Sequence, residues 1–446
     1  MRDMAEYDAE KIGKELEKLN KERKHIGDIS EKDDGKKVAV AGWVYDDRDL
    51  GKIKFILVRD ITGEIQITAF KGGVPESVIK AMKVNRESVV AVRGVVKKSK
   101  QAPGGREIVP ESFEVLAEAE QPLPIDVTDF SKTELPKRLD YRFLDLHRRR
   151  AQAIFKIQST ILQAYRKFMS EEEKAVEAQF PAVISSSSEG GTDLFPVQYF
   201  EKKAYLSQSC QLYKQMLACS MEKVFAIFCV WRAEKHNTIR HLNESRQFDF
   251  EMAFANEFVV MNVLARTVQF IVKEVTEKNR AELELLGVKI KIPDVKYLTF
   301  AEVSEIMKKH KIHVGKDDLS GEAEKKLGEL YPETIVFVHD WPLSGRPFYI
   351  MPKGKGLSCG FDAIYRGMEI SSGGQRVHIP ELLIERLKAK GLKPKDFEKY
   401  IESFRYGAPP HAGWGMGLER ITMLILGLDN IREAVLFPRD RDRLTP

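Results

Sequence analysis

Strand-like runs separated by turn residues fill residues 36–118, and no other feature constrains the fold of this chain as strongly. Five runs are rich in β-branched and aromatic residues and lie at 37–45, 53–59, 63–70, 88–97 and 107–116. Glycine-containing turn signals separate the runs, for example at 49–51 and 103–105. Five strands within so short a segment predict a small, closed Greek-key β-barrel.

Barrels of this kind, such as the OB-fold, commonly bind nucleic acids. Phe55 and Gln66 lie on neighbouring predicted strands and could both face outward. An exposed aromatic ring can stack on an unpaired base, and an amide can read the edge of that base. Spacing alone favours the simpler interpretation that Phe55 belongs to the core.

The segments that flank the predicted barrel differ from it in composition. Residues 1–35 form a charged N-terminal extension with a helical pattern, which we expect to be solvated, although its basic residues leave open an arm that contacts RNA. Three prolines mark a hinge at 119–146. Residues 147–446 form a larger domain that begins with a helix at 147–169. This domain lacks a repeated βαβ pattern, which favours an α+β fold with a mixed or antiparallel sheet.

Charge and cysteine usage exclude several classes of protein. The chain has 446 residues, of which 72 are basic and 67 are acidic, so a wholly basic nucleic-acid coat protein is excluded. None of the four cysteines forms a CxxC pair, which indicates small buried side chains in a reducing compartment rather than a zinc site. The longest apolar run, at 224–231, is far too short to span a bilayer. We therefore expect a cytoplasmic protein without membrane contact.

Three regions of the larger domain carry residues suited to nucleotide chemistry. A buried apolar strand leads into Arg232 and Glu234, and the segment 361–376 combines carboxylates, hydroxyls, glycines and an arginine. The glycine-rich segment 413–420 precedes an apolar helix, whose start favours phosphate. Arginines can fork onto phosphate oxygens, while carboxylates and hydroxyls suit Mg²⁺. Neither a P-loop nor a strand–GxGxxG–helix unit is present.

These residues carry a resemblance to a known family. The segment 231–234, followed by Arg240-His241, resembles motif 2 of the class II aminoacyl-tRNA synthetases, and 413–420 resembles their motif 3. Pro181 resembles the motif 1 proline. Within the class, the chain is most similar to aspartyl-tRNA synthetases of the archaeal/eukaryotic type (class IIb), over nearly its whole length. The resemblance implies an OB-fold that reads the anticodon and a catalytic domain with an antiparallel sheet flanked by helices.

The resemblance also implies an activity and its cofactors. The enzyme would activate L-aspartate with ATP and Mg²⁺ and transfer it to the 3′ end of tRNA-Asp, with tRNA-Asn left open. Arg232 and Arg420 are implied as catalytic, and Glu369 and Ser372 as magnesium ligands. The implied ATP-binding residues are Arg232, Ala233, Glu234, Arg240, His241, Leu242, Glu369, Gly417, Leu418, Glu419 and Arg420.

Substrate specificity is implied residue by residue. Lys214 and Arg376 would pair with the β-carboxylate of aspartate, and Asp249 would orient them. A neutral amide would leave those cations unpaired. The full implied aspartate-binding set is Glu189, Gln211, Lys214, Arg232, Asp249, Ser372 and Arg376, with Glu189 in a loop at 188–191 that resembles a closing loop. In the barrel, the implied anticodon contacts are Arg48, Phe55, Gln66, Tyr45 and Lys97, which reverses the core interpretation of Phe55.

The chain departs from the family pattern around motifs 1 and 2. Phe228-Cys229 stands where the family usually has Gly-Pro, Cys210 replaces a proline, and Lys174 replaces a glycine. Motif 1 builds the homodimer that the family implies, so the change at Lys174 argues against ordinary dimer packing. The changes next to motif 2 argue against full activity. The alternative function is therefore a catalytically impaired or engineered variant that acts as an RNA-binding module. A third hypothesis is an asparagine synthetase derived from the same family. Those enzymes lack the anticodon domain, so the predicted barrel at 36–118 argues against it.

Overall fold

The structure, a computed structural model, describes residues 9–185, 193–235 and 237–446, with side chains from residue 13 onward. The chain divides into two compact units, Met1–Pro124 and Ile125–Pro446. No helix within the described residues is long and apolar enough to cross a membrane.

A closed five-stranded barrel forms the first unit and confirms the predicted OB-fold. The strands follow the order β1-β2-β3-β5-β4, in which only β3 and β5 pair in parallel. The elements of this unit are α1 (Ala9–Glu22), β1 (Lys37–Asp49), β2 (Ile53–Arg59), β3 (Glu64–Phe70), α2 (Glu76–Ala81), β4 (Val89–Lys98) and β5 (Arg106–Ala117).

The side chains of strand β2 alternate between the barrel core and the outer surface. Ile56 and Val58 are fully buried in the barrel core, whereas Phe55 and Leu57 lie on the opposite, partly exposed face. The interpretation of Phe55 as a core residue is therefore wrong. At the N-terminal end, α1 packs on the barrel through Leu19, and Ile26 enters the core.

The second unit contains eleven helices and thirteen strands among the described residues. They are α3 (Leu135–Asp140), α4 (Arg142–Asp145), α5 (Arg149–Lys167), β6 (Val176–Glu177), β7 (Val183–Ile184), β8 (Pro196–Tyr199), β9 (Lys202–Leu206), α6 (Gln211–Met221), β10 (Lys223–Trp231), β11 (Glu244–Ala253), α7 (Glu257–Lys278), α8 (Arg280–Leu286), β12 (Asp294–Thr299), α9 (Phe300–Lys309), α10 (Gly321–Leu330), β13 (Thr334–His339), β14 (Pro352–Gly354), β15 (Leu357–Ser358), β16 (Gly360–Tyr365), β17 (Met368–Gln375), α11 (Pro380–Ala389), α12 (Glu398–Arg405), β18 (His411–Gly417) and α13 (Leu418–Leu426).

An eight-stranded sheet organises this unit, in the order β12-β13-β16-β17-β18-β11-β10-β6. The six central strands pair antiparallel, and the two edge pairs, β12–β13 and β10–β6, are parallel. Helices α5, α7 and α13 share one apolar core with β11, β16 and β18. The prediction of a largely antiparallel sheet flanked by helices is confirmed.

Residues 125–146, predicted as part of a hinge, contain α3 and α4 and belong to the second unit. The buried carboxylate of Asp145 accepts hydrogen bonds from Arg138 at 2.7 Å, Arg142 at 2.6 Å and Arg148 at 3.2 Å. Arg142 also donates to the carbonyl oxygen of Val435 at 2.8 Å. This buried network fixes the segment to the C-terminal end of its own unit, which prolines in a sequence do not reveal.

Lys174 occupies a backbone conformation that favours glycine, with φ of 56°. Its side chain is exposed, and glycine is the family residue that the resemblance implies here. We expect Lys174→Gly to raise the free energy of unfolding by about 0.5–1 kcal/mol, because the relief of backbone strain exceeds the added chain entropy. Urea denaturation measures the change. The control Lys273→Gly, at an exposed position inside α7, should instead lower the free energy of unfolding by about 1 kcal/mol.

Candidate functional site

A cavity of about 170 Å³ opens where the ends of β10, β11, β17 and β18 meet the start of α13. Nine of the predicted ATP-binding residues line it, together with Ser372. They are Arg232, Glu234, Arg240, His241, Leu242, Glu369, Gly417, Glu419 and Arg420. The three regions singled out in the sequence therefore meet at one site.

The loop between β10 and β11 carries the motif 2 residues and is closed by Asn243. The N–H of Arg232 donates to the Asn243 carbonyl oxygen at 3.0 Å. The Asn243 amide donates back to the carbonyl oxygens of Arg232 at 2.7 Å and Glu234 at 2.9 Å. Sequence reasoning missed Asn243, because nothing in its neighbourhood shows that its side chain bonds the main chain nine and eleven residues earlier.

Two predicted ATP-binding residues lie outside the cavity wall. The Leu418 side chain is buried in the core, since the first turn of α13 directs it away from its neighbours Gly417 and Glu419. The N–H of Ala233 donates to the carbonyl oxygen of Asp193 at 2.9 Å. Any contact of Leu418 with a nucleotide would therefore have to come from its main chain.

A β-bulge in β17 brings the two predicted magnesium ligands to the same side. Residues three apart on a regular strand face opposite sides of the sheet. Here Ala363 pairs with Ser371 and Ile364 pairs with Glu369, so Ile370 is an extra residue and the alternation shifts. Glu369 and Ser372 both line the cavity, as do the intervening Ile370 and Ser371.

Burial shapes the electrostatics of the carboxylates at this site. Burial, together with the negative charge of Asp362, raises the pKa of Glu369. Burial also raises the pKa of Glu419 to about 7, although both of its oxygens accept the Arg246 N–H, at 3.0 and 3.1 Å. Asp362 itself is held by a fork from Arg346, with distances of 2.9 and 2.7 Å, a pair that sequence reasoning missed.

The donor set of Glu369 and Ser372 fits Mg²⁺, which prefers hard oxygen ligands. No group of three or more His, Cys, Asp or Glu side chains that could hold a metal occurs among the described residues. A magnesium ion at this place would therefore complete its coordination with water and phosphate oxygens, as this ion commonly does.

Four buried charged residues form a second cluster beside the cavity. Lys214 Nζ lies 2.8 Å from Asp249 Oδ1 and 3.6 Å from Glu251 Oε2, and it donates to the Trp414 carbonyl oxygen at 2.9 Å. Arg376 forks onto Glu251 at 2.9 and 3.1 Å. Each of these four residues is only 0–2% exposed. Burial by itself would raise the pKa of Glu251, but Arg376 and Lys214 outweigh it and hold that pKa below its usual value.

Gly415 separates the charged cluster from the cavity. It lines the cavity, and a Cβ added there would lie 3.4 Å from Asp249 Oδ1. Asp249 Oδ2 of the cluster has no hydrogen-bond partner, and neither do the amide nitrogen of Gln211, on the helix that carries Lys214, and both amide atoms of Gln208, just before that helix. Unsatisfied polar atoms in such a place point to a polar ligand.

The predicted aspartate-binding residues thus divide between two adjoining places. Arg232 and Ser372 line the cavity, whereas Lys214, Asp249 and Arg376 form the charged cluster, next to Gln211. Glu189, with its loop at 188–191, lies outside the described residues. Glu251 was not predicted, because its role depends on a pairing with a residue 125 positions away.

The departures from the family pattern pack against one another. Cys210 and Phe228 belong to one small apolar cluster, and Phe180 packs against it. The rings of Phe180 and Phe228 meet edge to face, with centroids 6.1 Å apart. Phe228 does not line the cavity. Phe180 and Phe228 therefore fill a common space beside β10, away from the cavity.

The barrel carries a cavity of about 600 Å³, and Arg48, Phe55 and Gln66 line it. The Gln66 amide donates to Glu107 Oε2 at 2.9 Å, so Glu107, another lining residue, fixes its orientation.

Two predicted anticodon residues of the barrel do not line its cavity. The Tyr45 ring lies under the guanidinium of Arg59, with 4.6 Å from Cζ to the ring centroid. Lys97 is exposed and lies across from Glu107 in the β4–β5 pair.

Comparison with known families gives two matches. Residues 134–441 match the family described as tRNA synthetases class II (D, K and N). Residues 38–116 match the OB-fold nucleic acid binding domain.

Relatives cover the chain almost completely. An aspartate–tRNA(Asp/Asn) ligase of Archaeoglobus fulgidus is 49% identical over 95% of this chain and 100% of its own length. Its counterpart in Methanocaldococcus jannaschii is 45% identical over 97% and 100%. Among solved structures, asparaginyl-tRNA synthetase from Pyrococcus horikoshii superposes with a TM-score of 0.90 at 34% identity, over 95% of this chain and 100% of that one. Aspartyl-tRNA synthetase from Entamoeba histolytica gives 0.84 at 33% identity, over 95% and 93%.

Proposed function

Because the chain belongs to the class II tRNA synthetases of the D, K and N group, we propose that it is an aspartate–tRNA ligase. It activates L-aspartate with ATP and transfers the aspartyl group to the 3′ end of tRNA. The observation that carries the choice of aspartate is the pair of buried cations, Lys214 and Arg376, beside the nucleotide cavity.

Donor counting explains how these cations can recognise a carboxylate although acids already face them. Lys214 has three N–H donors, and two of them bond Asp249 and the Trp414 carbonyl. Arg376 has five, of which two bond Glu251. The remaining donors suit the β-carboxylate of aspartate, and the amide of asparagine would satisfy them less well. The fold itself does not select the substrate, since a structural neighbour is an asparaginyl enzyme.

The reaction needs positioning and charge stabilisation rather than a protein nucleophile. An oxygen of the aspartate α-carboxylate attacks the α-phosphorus of ATP, and the bond from that phosphorus to pyrophosphate breaks. Arg232 holds the α-phosphate and stabilises its developing charge, while Arg420 binds phosphates further along the nucleotide. Mg²⁺, held by Glu369 and Ser372, would neutralise charge on the phosphates. In the second step a hydroxyl of the terminal adenosine of tRNA attacks the aspartyl carbonyl, and AMP leaves.

The proposed partners are tRNA and a second copy of this chain. Three exposed apolar side chains lie close to the start of β10. Val176 pairs in register with Val224, Met221 precedes β10, and Phe254 follows the end of β11 that pairs with the start of β10. Such a patch on the motif 1 side of the sheet supports a homodimer. Sedimentation across a range of protein concentrations tests it.

Aminoacylation of purified tRNA-Asp and tRNA-Asn, measured side by side with labelled aspartate, tests the proposed activity. We expect charging of tRNA-Asp, together with aspartate-dependent exchange between ATP and pyrophosphate. Charging of tRNA-Asn as well would identify the broader ligase named in its relatives. Binding of tRNA without charging of either would support the RNA-binding module instead.

Phe55→Ala is expected to raise the KM for tRNA about tenfold or more, because the ring would lose its stacking on an anticodon base. The exchange between ATP and pyrophosphate should stay unchanged, since that step does not use the anticodon. A matched control is Ile61→Ala, which removes an exposed apolar side chain from the turn between β2 and β3, outside the barrel cavity. Equal effects of the two substitutions on tRNA charging would contradict the stacking role.

A further inference from the structure

Helix α10 brings an acid to the edge of the nucleotide cavity from a region where no site residue was predicted. Gly321, Glu324 and Gly328 are spaced i, i+3 and i+7, so they share one face of the helix. On the adjoining face, Ala323 and Leu327 are buried in an apolar core that includes residues of β13. The side chain of Glu324 is 17% exposed.

One glycine of this face allows close main-chain packing, and a second lies beside Arg240. A Cβ added at Gly328 would lie only 2.3 Å from the amide nitrogen of Gly367, in the turn between β16 and β17. A Cβ added at Gly321 would lie 3.6 Å from Nη1 of Arg240. Main-chain packing therefore fixes the place of Glu324, which lies between these two contacts.

Glu324 contacts a residue of the cavity wall. Its Oε2 lies 3.9 Å from Nη1 of Arg240. Burial and the nearby carboxylate of Glu369 raise the pKa of Glu324 to about 7, while the positive charges of Arg420 and Arg240 act in the opposite direction. Arg240 and Arg420 both line the cavity, whereas Glu324 does not. The acid can thus act on a bound nucleotide only through its neighbours.

We propose that Glu324 is a positioning residue for ATP, which holds the guanidinium of Arg240 at the cavity wall before the nucleotide arrives. A long arginine side chain loses rotamer freedom when it binds phosphate. Holding it in place beforehand reduces that loss and so tightens nucleotide binding. This role rests on the proposed function, because it assumes that the cavity receives ATP.

The test combines exchange kinetics with a double-mutant cycle. We expect Glu324→Gln to raise the KM for ATP five- to tenfold, while kcat and the KM for aspartate stay within twofold. In an Arg240→Ala background the same substitution should change the KM for ATP less than twofold, because its effect passes through Arg240. Glu322→Gln removes the same charge from an exposed position of the same helix and serves as the matched control, without effect on either KM.

Two outcomes would overturn the positioning role. One is an unchanged KM for ATP in Glu324→Gln, and the other is an equal rise in the presence and absence of Arg240. An unaltered protein that shows no exchange would contradict the proposed function instead. Calorimetric binding of ATP to Glu324→Gln, Arg240→Ala, the double variant and Glu322→Gln would then decide the role of Glu324. We expect the Kd for ATP to change among these variants as described for the KM.

Discussion

Arg232→Gln is expected to lower kcat for aspartate-dependent exchange between ATP and pyrophosphate by about 10³-fold. Glutamine is shorter and uncharged, and it lacks the forked donors that stabilise the developing charge on phosphate. Losses of this order follow removal of comparable charge-stabilising groups in other enzymes. The fold should persist, because Asn243 bonds the main chain at this position rather than the side chain.

A surface arginine provides the matched control for this substitution. Arg405 is half exposed and lies 3.5 Å from Glu381. Arg405→Gln should leave the exchange rate within twofold, since exposed ion pairs contribute little. If Arg232→Gln kept more than a tenth of the rate with an unchanged thermal transition, Arg232 would not hold the α-phosphate.

The barrel could be predicted from sequence because its information is local. Alternating apolar residues and glycine turns specify strands, and five short strands leave few architectures. The direction of Phe55 was harder, since alternation within β2 is compatible with either face until neighbouring strands fix the register. Ile56 and Val58 take the inner face, and Phe55 is left on the outer one.

The candidate site was predictable to the extent that its residues lie in short motifs. Most of the predicted ATP-binding residues of motifs 2 and 3 meet Glu369 in one cavity, and only Ala233 and Leu418 lie outside its wall. The partners that hold them were not predictable, because they depend on contacts between distant segments. Glu251 pairs with Arg376, Arg346 pairs with Asp362, and Glu324 reaches Arg240 from α10. The bulge at Ile370 is likewise a property of strand pairing and leaves no local signature.

The effect of the substitutions around motif 2 could not be predicted from single positions in the sequence. Phe228 departs from the family pattern, and on its own it suggests a steric conflict with the neighbouring Phe180. In the structure their rings pack against each other, 6.1 Å apart, next to the buried Cys210. Phe180 and Phe228 therefore share one space beside β10, and Phe228 does not reach the cavity.

Arg376→Leu is expected to cost about 3–5 kcal/mol of stability, the second large effect, because it leaves the fully buried carboxylate of Glu251 without its forked partner. Urea denaturation measures the loss. The substitution should also abolish aspartate-dependent exchange, but this result alone cannot separate a folding defect from a lost substrate contact.

A paired substitution separates the two roles. Arg376→Leu with Glu251→Leu replaces both buried charges by apolar groups, and such exchanges are often neutral or stabilising. Most of the lost stability should return, while Lys214 keeps its contact with Asp249. Exchange with aspartate should remain absent, because the β-carboxylate has lost one of its two cations. Recovery of activity together with stability would show that Arg376 serves only the fold, and the choice of aspartate would then depend on Lys214 alone.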